Sequence, residues 1–107
     1  MRRVASLRRQ ADFARLRRTG RRVSSHSLTI YRTDLLADET SLVGITVSKA
    51  IGKAVVRNKV RRRLSAIVRE LLPAYGAMRL LVVPRPSAAV ARFTDLKAEV
   101  TSALGAA

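Results

Sequence analysis

Positions 57 to 63 read Arg57-Asn58-Lys59-Val60-Arg61-Arg62-Arg63, five cations in seven residues. Side chains of this kind neutralise and hold anions. A guanidinium adds a planar fork that matches phosphate oxygens and a face that stacks on bases. Residues suited to bond-breaking chemistry are scarce. The chain has no Cys, which removes thiolate nucleophiles and thiolate metal sites. His26 is the only histidine, lacks a partner of catalytic type and reads as structural. Asp12 suits the first turn of a helix, and Asp95 and Glu99 read as a solvated i, i+4 pair. No phosphate-cradling glycine loop, zinc ligand set or nucleophilic triad is present. The chemistry available is anion binding without catalysis by the chain's own side chains.

The overall charge supports this. Lys and Arg number 22 against 7 Asp and Glu, a formal net charge of +15. Self-repulsion of that size opposes folding, so a polyanion is expected to offset it. Nucleic acid leads and an anionic membrane surface comes second. The excess of Arg over Lys tilts the choice toward nucleic acid. Charges are also segregated: basic blocks fill the N-terminal segment and the stretch from Lys49 to Arg69, with Asp34, Asp38 and Glu39 in a polar stretch between them. That pattern suggests one binding side and one solvent side.

These side chains need elements to hold them. The 107 residues fit one domain, with 1–8 as a basic N-terminal arm. Hydrophobic content of 48% supports a core, and aromatics at 4% make that core aliphatic. Gln10 to Thr19 reads as a short helix ended by Gly20 as a C-cap residue. Val23 to Thr33 reads as one strand, with Leu28 and Ile30 (and His26) on one face and Thr29 and Tyr31 on the other. Leu42 to Ser48 reads as a second strand with Val43, Ile45 and Val47 on one face, pairing antiparallel with the first across the acidic loop.

The clearest helix follows. Val56, Val60, Leu64, Ile67, Val68, Leu71 and Leu72 form a single apolar stripe that must bury against a sheet. Pro73 and Gly76 end it. Arg57 and Arg61 line the rim of the stripe, Asn58, Arg62, Ser65 and Arg69 fall on one flank, and Lys59 and Arg63 on the other. Like charges at i, i+4 weaken a helix, and cations near its N-terminus oppose the macrodipole. A helix so loaded is not optimised for stability alone; the block is placed to meet an anion. Leu80 to Val83 reads as a buried central strand. Ala89 to Ala103 reads as a last helix with Val90, Phe93, Leu96, Val100 and Leu104 on one face. The order, α-β-β-(β)-α-β-α, predicts an α+β fold, a two-layer α/β sandwich.

The run Val47-Ser48-Lys49-Ala50-Ile51-Gly52-Lys53-Ala54-Val55-Val56-Arg57-Asn58-Lys59-Val60-Arg61-Arg62 closely resembles the protein subunit of bacterial ribonuclease P, and Arg57 through Arg62 looks like its RNR signature. The likeness covers nearly the whole chain: Asp12-Phe13 and Gly20 resemble the family's first helix, Leu28 to Tyr31 its aromatic-bearing strand, and Leu80 to Pro84 the strand after the signature helix. It implies a ribosomal-protein-S5-domain-2-like fold with a left-handed βαβ crossover, against the general right-handed rule.

The resemblance also implies two partners, the catalytic RNA subunit and precursor tRNA. The RNA would hydrolyse the phosphodiester with Mg²⁺, and this chain would be an accessory subunit with no cofactor of its own. Lys49, Lys53, Arg57, Asn58, Lys59, Arg61 and Arg62 match the signature and would face the catalytic RNA. Phe13 and Tyr31 match aromatics of a cleft for the 5′ leader. Arg17 stands where relatives often carry a second aromatic, and would stack a guanidinium plane there. Ser65 stands where relatives often carry Arg, a phosphate contact that Arg63 or Arg69 would take over. A cytoplasmic location, no membrane and no obligate protein partner are expected; no apolar h-region follows the basic start and no run approaches the ~20 residues of a membrane span.

Rival classes fit less well. A ribosomal or RNA-chaperone protein would not need the ordered signature. A minor-groove DNA binder would favour apolar wedges in an exposed arm. An autonomous nuclease would need an acid/base or metal cluster.

Overall fold

The computed structural model describes residues 4–36 and 39–105. Met1 to Arg3, Ala37, Asp38, Ala106 and Ala107 lie outside the described residues, so the basic start of the arm and part of the acidic loop are not placed. A five-stranded sheet forms the frame. Its strands are β1 (Val4–Ser6), β2 (Arg21–Ser24), β3 (Leu28–Asp34), β4 (Ser41–Ile45) and β5 (Met78–Pro84). The helices are α1 (Gln10–Thr19), α2 (Ala54–Leu71) and α3 (Phe93–Leu104). The expected α+β sandwich is present.

The strand order across the sheet is β1-β4-β5-β3-β2. β1, β4 and β5 run parallel, while β3 is antiparallel to both β5 and β2. This corrects the pairing expected across the acidic loop: β3 and β4 do not touch, because β5 lies between them. β5 is the most continuously apolar strand, and Leu80, Leu81 and Val82 are fully buried. A strand buried on both faces belongs at the centre, and the loop after β3 steps over it. The single strand expected from Val23 to Thr33 is a hairpin, turning at Ser25 to Ser27. The arm contributes β1, whose three residues pair with Ser41 to Val43.

Alternation divides β3 as expected. Leu28 and Ile30 enter the main core with Leu64, Ile67, Val68, Leu80, Val82, Leu96 and Val100. Tyr31 faces the opposite layer and packs on a small cluster of Leu7, Leu16 and Leu81 beneath α1. α2 and α3 therefore cover one face of the sheet, and α1 covers part of the other.

Three local expectations are corrected. The last helix begins at Phe93, after a short 3₁₀ turn at Pro86–Ala89, so Val90 lies outside it and is 87% exposed. The buried face of α3 is Leu96, Val100, Ala103 and Leu104, an i, i+4, i+7, i+8 set starting later than expected. Glu99 is not simply solvated. It accepts hydrogen bonds from the Ser25 hydroxyl and from the Ser27 backbone N–H, the latter at 2.7 Å. The carboxylate thus holds the β2–β3 turn onto α3. Gly20 follows α1 with φ −73°, not the left-handed region. A Cβ there would lie 2.6 Å from the Leu16 carbonyl oxygen, so close approach is what requires glycine.

Candidate nucleic-acid interface

Burial of the α2 stripe fixes where its cations point. Val60, Leu64, Ile67 and Val68 are at most 2% exposed, which anchors the helix against the sheet. Entry into the helix uses Gly52 at φ +145°, the only positive φ among the described residues. An L side chain rarely adopts that geometry. The turn carries Lys49 in a short 3₁₀ segment and Lys53 at the N-cap, both exposed. Asn58, Lys59, Arg61 and Arg62 are exposed along the first three turns, and Arg57 is half-buried. Arg61 donates to the Asn58 side-chain oxygen at 3.2 Å, holding one guanidinium in place.

All seven signature residues therefore lie on one turn and one helix. Among the described residues none of them pairs with a carboxylate; the ion pairs are Arg32–Asp34 and Lys97–Glu70. The Nε of Arg57 is buried without a hydrogen-bond partner. Such a donor is costly to leave unpaired. Val55 stands 79% exposed amid the cations and lines a shallow hollow with Asn58, Arg61 and Arg62. Sequence reading missed Val55, because only its place in the first turn, outside the stripe, marks it.

The second group of candidates lies on the other face of the sheet. Gly44, Leu81, Tyr31 and Arg22 are paired in register across β4, β5, β3 and β2. Phe13 of α1 lies against Gly44: a Cβ there would sit 2.6 Å from the Phe13 ring, so glycine admits the aromatic. Phe13 and Arg17, one turn apart, wall a groove with Gln10, Ala14 and Thr46. Tyr31 does not line this groove. It lies two strands beyond Gly44, about 10 Å away at ordinary strand spacing, on the same face and past Leu81. The structure thus brings Phe13 and Arg17 together, and sets Tyr31 apart on the same layer.

The cation beside Tyr31 is not Arg32. Arg32 points to the opposite layer and donates to the Ala103 and Leu104 carbonyl oxygens at 3.1 and 2.8 Å, capping the C-terminus of α3. Arg22, exposed and directly opposite Tyr31 on β2, takes that place. Only the hairpin register reveals it. Arg63 is likewise turned away: it donates to the Ala91 carbonyl oxygen at 3.4 Å, on the α3 side. Among the described residues, no group of three or more His, Asp or Glu side chains comes together as a metal site, and no helix is long and apolar enough to cross a membrane.

The arrangement can bind a polyanion over two faces, with an ordered set of cations on α2 and aromatics with guanidinium groups on the α1 side. The chain is similar to known proteins in sequence and in fold. The family model described as Ribonuclease P matches residues 1–107. The ribonuclease P protein component of Thermobifida fusca is 40% identical over 94% of this chain and 74% of its own length. That of Salinispora tropica is 40% identical over 94% and 88%. Among solved structures, the Staphylococcus aureus RNase P protein superposes with a TM-score of 0.80 at 24% identity, covering 90% of this chain and 88% of that one. The Thermotoga maritima RNase P protein gives 0.80 at 23%, covering 92% and 94%.

Proposed function

The chain belongs to the ribonuclease P protein family, an accessory subunit of that ribonucleoprotein enzyme, and from this premise we propose that it binds the catalytic RNA through α2 and the 5′ leader of precursor tRNA through the α1 face. The observation that carries the reading is the signature set on α2. Its cations stand on a helix anchored by its buried stripe and on the turn that enters it, and no carboxylate among the described residues neutralises them. Phosphates supply the missing charge. On this reading Lys49, Lys53, Arg57, Asn58, Lys59, Arg61 and Arg62 meet the catalytic RNA. Mg²⁺ belongs with the RNA, which carries out the hydrolysis, and the setting is cytoplasmic.

Salt dependence tests the α2 assignment. Affinity for the catalytic RNA falls steeply with salt, because each phosphate contact releases counterions. Arg62→Ala weakens binding and flattens the log–log slope by about one. Lys97→Ala, whose ammonium already faces Glu70 at 3.1 Å, leaves affinity and slope nearly unchanged. Equal behaviour of the two variants would remove α2 as the RNA face.

The leader assignment rests on stacking. A leader is single-stranded and varied, so it is held by backbone charge and by aromatic faces that accept any base, worth ~1–3 kcal/mol per base. Tyr31→Ala lowers affinity of the assembled enzyme for precursor tRNA by roughly ten- to hundredfold. Mature tRNA, lacking a leader, binds as before, and Tyr31→Phe keeps most of the affinity. Arg17→Ala loses affinity too, mainly at low salt. Paired binding curves with and without leader decide the matter; an equal loss on both substrates would make Tyr31 structural.

A further inference from the structure

A cavity of about 500 Å³ lies between α3, the 3₁₀ turn at Pro86–Ala89 and the β2–β3 turn. Its walls come from distant parts of the chain and are tied together. The Ser87 hydroxyl lies 3.1 Å from both the His26 carbonyl oxygen and the Ser27 hydroxyl. Glu99 holds the same turn through its Oε1. The Ala91 carbonyl oxygen is fixed by Arg63 of α2. The shape is therefore set before anything binds, and a partner docking here orders little of the protein.

Two properties separate this cavity from the cationic faces. The first is charge. Asp95 and Glu99, four apart on one flank of α3, both line it, with Arg92 as the one Lys or Arg of the lining. Those three side chains sum to −1 in a chain whose net charge is +15. Among the described residues neither carboxylate belongs to an ion pair, since the pairs are Arg32–Asp34 and Lys97–Glu70. Like charges at i, i+4 weaken a helix, and a cation entering between them removes that repulsion. The second property is apolar exposure. Val90 lines the cavity and is 87% exposed. It is held outward by the turn, its N–H donating to the Ser87 carbonyl oxygen at 3.2 Å. Ala91 and Ala98 extend the apolar surface.

This pairing of features selects the occupant. Two carboxylates repel phosphates, and no Phe, Tyr or Trp lines the cavity to stack a base, so RNA is the wrong ligand. We propose that the cavity is a docking site for a basic segment of another protein, with a Lys or Arg of the partner between Asp95 and Glu99 and an apolar side chain of the partner against Val90. The site does not depend on which face of the molecule meets RNA.

The test uses the full-length protein free of RNA, because a cationic probe would otherwise bind RNA phosphates. The probe is a synthetic peptide of alternating Arg and Leu residues, with a counterpart in which Glu replaces Arg. Backbone amide shifts locate the contact, and the titration gives the affinity. Saturable shifts confined to 26–27 and 87–99 are expected with the Arg peptide, whereas the Glu peptide shifts α2. Val90→Ser weakens the Arg peptide roughly tenfold, and Asp95→Asn about threefold. Asp95→Lys abolishes its binding. Val90 and Asp95 are exposed, so these variants leave the core intact, and an unchanged thermal melt verifies it. Absence of saturable binding at millimolar peptide, shifts located elsewhere, or indifference to Val90→Ser and Asp95→Asn would overturn the proposal. Protection of 87–99 from hydrogen exchange by the catalytic RNA would assign the face to RNA. Concentration-dependent dimerisation lost in Val90→Ser would assign it to a second copy of the chain. Either of these results equally overturns it.

Discussion

Purified free of RNA, the protein leaves precursor tRNA intact over long incubation with Mg²⁺, and adding the cognate catalytic RNA restores cleavage at the mature 5′ end. The expectation is close to all-or-none. Hydrolysis of a phosphodiester needs an activated water and stabilised charge at the leaving oxygen. Among the described residues no group of three or more His, Asp or Glu side chains forms a metal ligand set, and the many cations stabilise charge without activating a nucleophile. The measurement is a gel-resolved cleavage assay with protein alone, RNA alone and both. The RNA arm, run across Mg²⁺ concentrations, shows the protein's share as a lower Mg²⁺ requirement. Metal-dependent cleavage by protein rigorously cleared of RNA would falsify the division of labour.

Leu64→Ala is expected to produce the largest loss of stability. Leu64 sits at the middle of the α2 stripe, is wholly buried, and packs within the core formed with β3, β5 and α3. Removing its branched end costs about 2–5 kcal/mol in lost transfer energy and residual cavity. For a domain of this size each kcal/mol lowers Tm by about 4–8 °C, so a shift above about 8 °C is expected in a thermal melt. Ala66→Ser, on the exposed side of the same helix, shifts the melt far less. The comparison separates loss of core from loss of helix propensity. If the two variants melt together, the stripe is not what holds the signature helix in place.

Much of this arrangement is written locally. The α2 stripe and the apolar β5 follow from periodicity and run length, because both elements are long and bury one stripe or both faces. The split of β3 into Leu28 and Ile30 on one side and Tyr31 on the other follows from the period of two. What escaped local reading depends on partners distant in sequence. β1 has three residues and no periodicity of its own, and exists only because β4 offers an edge. The separation of β3 from β4 depends on a strand more than 30 residues downstream taking the place between them. Arg32 and Glu99 look like surface charges in sequence. Their roles, at the end of α3 and on the β2–β3 turn, arise from contacts across more than 70 positions. The signature residues were legible as a group because a helix places them by spacing alone. Tyr31 was legible only as to face; its neighbour Arg22 needed the hairpin register.

The position of β5 also governs the order in which the molecule can assemble. Among the described residues it is the last strand and the one that touches both halves of the sheet, β1 with β4 on one side and β2 with β3 on the other. Until residues 78–84 have left the ribosome, only two separate two-stranded pieces can form, and such pieces are marginal in water. The core therefore closes late, through contacts of long sequence separation, which is intrinsically slow. During that interval the nascent chain is an open, strongly cationic polymer. A polyanion present during that interval would offset the self-repulsion that opposes closure.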